Sequence, residues 1–302
     1  MNDLTARPLP RLLPRELESH KGDFGRAIII GGSRGMAGAP AMAGMACLRS
    51  GAGLVTLGVP EATQPTVAAM CPAYTTMHLV EDDYGRIHWA NATDLAAAAG
   101  DYDVWAVGPG LGSPEAAAPM MGRIYEEWFA PLVVDADGLN GVAVFEETRH
   151  AVLPRPAGPR VLTPHPGEYA SLVRDSGLAE MAVGGEEQRI EAAAHLAGRD
   201  PSGQTVVVLK GRHTVVTDGS QFTINSTGNP GMATGGSGDV LTGVIIALLC
   251  QGLGAFDAAR LGVHVHGVAG DLAAASLGQV SLIATDLIDH LPAAFQQAAS
   301  EA

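Results

Sequence analysis

The 302 residues carry 32 acidic and 18 basic side chains, a net charge of −14, with 47% apolar residues and only 5% aromatic ones. So acidic a balance argues against a nucleic-acid binder, which needs a basic face to replace phosphate counterions. An anionic ligand would be repelled at long range and has to be captured by local donors, helix N-termini or a metal. The first twenty residues contain acids and three prolines and no uninterrupted apolar stretch, so they do not read as a signal peptide. The longest apolar run, 240–250, is too short to span a bilayer and reads as a buried helix. Cys47, Cys71 and Cys250 are far apart, show no metal-ligand spacing, and suit a reducing compartment as free thiols. The expectation is a cytoplasmic protein with no membrane attachment.

Short β-branched runs alternate along the chain with Ala-rich stretches. In order, the pattern predicts a strand over 26–30, a helix over 39–50, strands over 54–59 and 104–107, and a helix over 114–129. Strands over 132–135 and 160–162, a helix over 186–198 and a strand over 205–209 follow. Several of these strands are near-continuously apolar, as parallel strands covered on both faces are. Runs 213–217 and 221–225 flank the turn Asp218-Gly219-Ser220 and predict a hairpin. Long helices over 239–250 and 257–277 and a last one from Thr285 complete the chain. Alternation of this kind specifies an α/β fold, a three-layer doubly wound and mostly parallel sheet. No internal repeat or linker interrupts it, so residues 20–302 read as one domain and 1–19 as an N-terminal extension. Ligands in such a sheet collect beyond the carboxyl ends of the strands, where the Gly-rich segments 31–38, 108–112, 135–140, 163–168 and 210–214 fall.

The most informative stretch is 225–243, a Gly-rich loop that runs straight into an apolar helix. The backbone amides of Gly235, Gly236, Ser237 and Gly238 can converge on an anion, aided by the helix dipole. Asp239 then stands at the mouth of that anion hole. A carboxylate is a poor phosphate ligand but a sensible base for a hydroxyl that attacks phosphorus. The helix terminus is expected to depress its pKa, so that it works through position rather than basicity. The plainer alternative is an ordinary capping Asp, which leaves the preceding Gly-Gly-Ser-Gly unexplained. No Lys-Ser/Thr pair follows the glycines, so this is not a Walker A loop, and Gly108-Pro-Gly-Leu-Gly112 lacks the spacing of a dinucleotide fingerprint.

Taken in order, several blocks make the chain resemble one family. They are His20-Lys-Gly-Asp-Phe-Gly25, Gly38-Ala39, Arg49-Ser-Gly-Ala-Gly53, Gly108-Pro-Gly-Leu-Gly112 and Asp135-Ala-Asp-Gly-Leu139. Leu162-Thr-Pro-His-Pro-Gly-Glu168, Val208-Leu-Lys-Gly211 and Gly235-Gly-Ser-Gly-Asp-Val-Leu-Thr-Gly243 complete the series. Over about residues 20 to 292 the chain is similar to the ADP-dependent NAD(P)H-hydrate dehydratases, a branch of the ribokinase-like superfamily. The resemblance implies repair of (S)-NADHX and (S)-NADPHX to the reduced dinucleotides, with ADP as phosphate donor, AMP and phosphate as products, and Mg²⁺ as companion ion. It implies a nucleotide loop of Lys210, Gly211, Arg212, His213 and Thr214, with Gly238 also touching the nucleotide. It implies dinucleotide contacts at Ala39, Gly110, His165 and Asp239. It further implies a homo-oligomer, a tetramer in many relatives. Many relatives also carry an N-terminal epimerase domain; the twenty or so residues before the match leave no room for one, so a separate epimerase is expected.

From the residues alone, Lys210 reads equally as a phosphate point charge or a solvated strand-end lysine, and His165 as a loop histidine. Asp137 reads as a cap for the following helix, while Asp135 could hold Mg²⁺ or cap. No set of metal ligands emerges. His264 and His266, two apart in a helix, read as packing residues. Ser237 stands where the family more often has Thr, which keeps a hydroxyl, and Pro40 where Ala is common. Two other functions compete: a kinase of a vitamin-precursor alcohol on the same fold, and a non-catalytic adenine-nucleotide sensor.

Overall fold

The computed structural model describes residues 1–149, 156–173 and 179–301. Among these, ten strands form one sheet: β1 (Asn2–Asp3), β2 (Arg26–Ile30), β3 (Leu54–Pro60), β4 (Thr75–Leu79), β5 (Val104–Val107), β6 (Leu132–Val134), β7 (Arg160–Leu162), β8 (Thr205–Leu209), β9 (Thr214–Thr217) and β10 (Gln221–Asn225). The helices are α1 (Gly38–Arg49), α2 (Gln64–Met70), α3 (Asn91–Ala97), α4 (Pro114–Glu127), α5 (Asp137–Arg149), α6 (Pro166–Leu172), α7 (Glu186–Gly198), α8 (Ser237–Cys250), α9 (Ala255–Leu277) and α10 (Ala284–Glu301). The strand order is β1-β10-β9-β8-β7-β6-β5-β2-β3-β4. Pairs from β4 through β8 are parallel, and the β8-β9-β10 stretch is antiparallel.

Both faces of the sheet are covered, which is why its strands read as apolar runs rather than alternating ones. Ala27 and Ile29 of β2 and Val104 and Ala106 of β5 face the layer of α1, α8, α9 and α10. Ile28, Ile30, Trp105 and Val107 face the opposite layer of α3 to α7. The first layer packs closely because its helices are built from small residues. A Cβ on Gly243 of α8 would stand 2.1 Å from the Ala43 carbonyl oxygen of α1, so only Gly lets the two backbones meet.

The expected elements are present, with ends shifted by one or two residues. Strand β4 and helices α2, α3, α5 and α6 had no clear signature. In β4 the residues Thr-Thr-Met-His-Leu are mostly half-exposed at the sheet edge and show no apolar run. The N-terminal segment lies against the same body. Asn2 and Asp3 pair with Gln221 and Phe222, and the Arg260 guanidinium of α9 donates to the carbonyls of Leu4, Arg7 and Pro8.

Chain direction positions the site. From β2 the chain winds outward through β3 to β4, then returns to β2's other side as β5. The crevice beyond the ends of β2 and β5 is thus a topological switch point, where doubly wound sheets bind ligands. There the two loops touch, the Gly32 amide donating to the Pro109 carbonyl at 2.8 Å.

Candidate active site

Helix α8 begins at Ser237, behind Gly236 in the left-handed region at φ 93°. A Cβ at Gly236 would meet Met42 Cε at 2.5 Å and Ala284 Cβ at 2.9 Å. Sterics and backbone both therefore demand glycine. Gly236→Ala is expected to cost about 1–2 kcal/mol from the backbone alone, with the clash on top; urea unfolding would measure it, and a loss under 0.5 kcal/mol would contradict the packing described. Among the described residues, the amides of Gly235, Gly236, Gly238 and Asp239 meet no acceptor. The Ser237 amide instead donates to the Thr234 carbonyl at 3.4 Å. Of the four amides expected to hold an anion, those of Gly235, Gly236 and Gly238 thus have no acceptor among the described residues, nor has that of Asp239, while that of Ser237 makes this one long bond.

Asp239 is the third residue of α8, and its carboxylate caps nothing among the described residues. Its pKa is raised to about 7, by burial first, then by the charge of Asp135, with further upward pushes from Asp137 and Glu168 against the downward pull of Lys210. The expectation of a depressed pKa is overturned. A helix N-terminus is worth only a few tenths to one kcal/mol, whereas desolvation beside three other carboxylates acts directly on the charged form.

Lys210, at the end of β8, sits inside this acidic group. Its Nζ lies 2.6 Å from Asp135 Oδ1 and 3.6 Å from Glu168 Oε2, with its side chain 18% exposed, so it is not a solvated strand-end lysine. A Cβ on Gly238 would stand 3.3 Å from that Nζ, which places the ammonium against the first turn of α8. Burial pulls the Lys210 pKa down, but Asp135 and Glu168 outweigh it and hold it above the usual lysine range. Asp135 is 1% exposed and accepts three donors: Lys210, Thr163 Oγ1 at 2.8 Å and Thr242 Oγ1 at 2.9 Å. Burial pushes its pKa up, and these donors hold it below the ordinary value. In this structure it anchors Lys210. Asp137, expected to cap α5, accepts the Gly112 amide at 2.9 Å instead and ties down the β5–α4 loop.

The sequence profile of the NAD(P)H-hydrate dehydratases matches residues 27–293. A bifunctional NAD(P)H-hydrate repair enzyme of Moorella thermoacetica is 44% identical over 94% of this chain and 51% of its own length. The chain thus spans about half the length of that relative. The ADP-dependent (S)-NAD(P)H-hydrate dehydratase of Neisseria meningitidis is 36% identical over 91% of this chain and 86% of its own. The chain belongs to the NAD(P)H-hydrate dehydratase family. A crystal structure of the ADP/ATP-dependent NAD(P)H-hydrate dehydratase of Bacillus subtilis, co-crystallised with ATP/Mg²⁺, superposes with a TM-score of 0.77, 31% identity and 95% coverage of both chains. The fold is the expected ribokinase-like one.

The positions that family resemblance singles out lie beyond the carboxyl ends of the strands. Ala39 opens α1, and a Cβ on Gly110 would stand 3.2 Å from the Ala39 Cβ. His165 is the N-cap of α6: its Nδ1 accepts the Gly167 and Glu168 amides at 3.0 and 3.2 Å, while Glu168 Oε2 accepts the His165 amide at 2.8 Å. Its Nε2 lies 3.3 Å from Glu168 Oε1. The Lys210–Thr214 loop turns through Gly211 at φ 139° and His213 at φ 54°. Thr214 Oγ1 donates to the Gly211 carbonyl at 2.8 Å, and His213 Nδ1 meets Glu186 Oε2 at 3.0 Å.

Three supporting residues were missed in the sequence. Arg189 of α7 donates to the carbonyls of Leu209, Lys210 and Arg212, and so shapes the loop from behind. Glu168 is buried and pushed up by burial, which Lys210 opposes. His266, expected to be mere packing, places its Nε2 2.9 Å from the Ser237 carbonyl oxygen. Burial pushes its pKa down to about 4, so the neutral ring donates to the first residue of α8. The only sequence signal for it was its place on a helix that must run beside α8.

Proposed function

We propose that the protein dehydrates (S)-NADHX and (S)-NADPHX back to NADH and NADPH, consuming ADP and releasing AMP and phosphate. One observation carries this reading: a part-buried carboxylate of raised pKa, Asp239, stands directly beside an unsatisfied helix N-terminus. Asp239 accepts the proton of the C6 hydroxyl as its oxygen attacks the β-phosphorus of ADP. The phosphorus–oxygen bond to AMP breaks, and the amides of Gly235, Gly236, Gly238 and Asp239 hold the transferred charge. Hydroxide leaves poorly from C6, whereas phosphate leaves well. The ring nitrogen expels it, and loss of the C5 proton restores the dihydropyridine. Lys210, Gly211, Arg212, His213 and Thr214, with Gly238, take the nucleotide; Ala39, Gly110 and His165 take the dinucleotide.

No group of three or more His, Cys, Asp or Glu side chains among the described residues could hold a metal. Asp135 and Asp137 are already engaged. We read Mg²⁺ as carried on the nucleotide phosphates with its waters, the ion's usual arrangement, where it would neutralise phosphate charge. The protein is read as a homotetramer of the cytoplasm; no helix among the described residues is long and apolar enough to cross a membrane.

The test is absorbance at the reduced-nicotinamide band after mixing protein, NADHX, Mg²⁺ and ADP. Recovery that requires ADP supports the reading. No recovery with ADP or ATP, despite nucleotide binding, would sink it, and a stable phosphorylated alcohol as product would favour a kinase.

A further inference from the structure

A second concavity lies at the same carboxyl end of the strands. A cavity of about 440 Å³ opens beyond β2, β3 and β4, lined among others by Arg34, Ala37, Gly38, Thr63, Thr66 and Glu81. Its size falls within the ~300–1,000 Å³ of small-molecule sites. It begins where the active site ends: Gly38 lines it, and the next residue, Ala39, packs beside Gly110. From β6, which precedes Asp135, to β4 is four strand spacings, or roughly 19 Å at ~4.8 Å each. Dinucleotides in doubly wound folds lie across strand ends in this manner.

The charges in the cavity are uncommon for so acidic a chain. The neighbouring Arg86 is paired with Asp82 at 2.7 Å. Arg34 has no carboxylate partner among the described residues, although Glu81 lines the same cavity. Glu81 Oε2 accepts the Ala62 amide at 3.1 Å, which leaves its other oxygen available. A carboxylate accepts from a ribose 2′-hydroxyl, and an arginine accommodates a 2′-phosphate. With a net charge of −14 the protein does not draw anions from a distance, so a 2′-phosphate depends on such a local cation.

We propose that this cavity takes the adenosine end of the dinucleotide, with Arg34 pairing the 2′-phosphate of NADPHX and Glu81 accepting from the ribose hydroxyls of NADHX. This rests on the dehydratase reading and adds to it the residues that set dinucleotide preference. The test compares kcat/KM for NADPHX and NADHX at saturating ADP in the wild type, Arg34→Ala and Arg34→Glu. Selectivity for NADPHX is expected to fall about tenfold in Arg34→Ala and further in Arg34→Glu, through KM rather than kcat. A ratio within twofold of wild type in both variants overturns the proposal. If the wild type converts neither dinucleotide, the dehydratase reading is what has failed. Calorimetric titration with NADP⁺ and NAD⁺ then reads the cavity without turnover: a preference for NADP⁺ lost in Arg34→Ala upholds the subsite, and equal binding by both proteins removes it.

Discussion

Asp239→Asn is expected to lower the dehydration rate by roughly 10²–10⁴-fold, the usual share of a positioned general base. The substitution keeps the shape of the side chain and removes only its ability to take a proton. Nucleotide affinity should hold or improve, because a negative charge facing phosphate disappears. The wild-type profile of kcat/KM should rise with pH through about 7, where Asp239 ionises. Below that value the base is protonated and the rate falls about tenfold per unit.

The same raised pKa has a sign for stability. An aspartate whose folded pKa lies above its unfolded one resists ionisation in the native state, so the penalty is absent below about 3.8, grows to about 7 and is constant above it. Asp239→Asn should therefore melt higher than wild type at pH 8, with the gain shrinking as pH falls toward 4. Scanning calorimetry across pH checks the trend, and stopped assays check the rate. A variant that keeps a tenth of the activity would show that Asp239 is not the base.

Asp135→Ala is expected to be the most destabilising change in the site, at about 3–5 kcal/mol, because it leaves the Lys210 ammonium without its buried partner. It also strips the acceptor from Thr163 and Thr242. Removing both halves of the pair, as Asp135→Ala with Lys210→Met, should recover much of that loss. In Asp135→Ala the activity profile should also move to lower pH, since Asp135 is the largest charge holding the Asp239 pKa up. Urea unfolding measures the first effect and the pH profile the second. A loss under 1 kcal/mol for the single variant would remove the anchoring role given to Asp135.

The layered fold was legible because its signals are local. Apolar strands such as Arg26–Ile30 and Thr205–Leu209 and small-residue helices such as Gly38–Arg49 declare their period within a few residues. The anion site expected at the glycines before Asp239 rests on an equally local signal, a loop feeding a helix N-terminus. Four things were decided only by tertiary structure. The Ser237 amide turned back onto Thr234, while Asp239's own amide met no acceptor among the described residues. Lys210 met Asp135 from 75 residues away, which makes it part of an ion cluster rather than a solvated strand-end lysine. His266 reached Ser237 across two helices. Above all, the Asp239 pKa went up rather than down. Helix position, which a sequence shows, sets a modest local field; burial beside Asp135, Asp137 and Glu168, which only folding assembles, sets the larger opposing one.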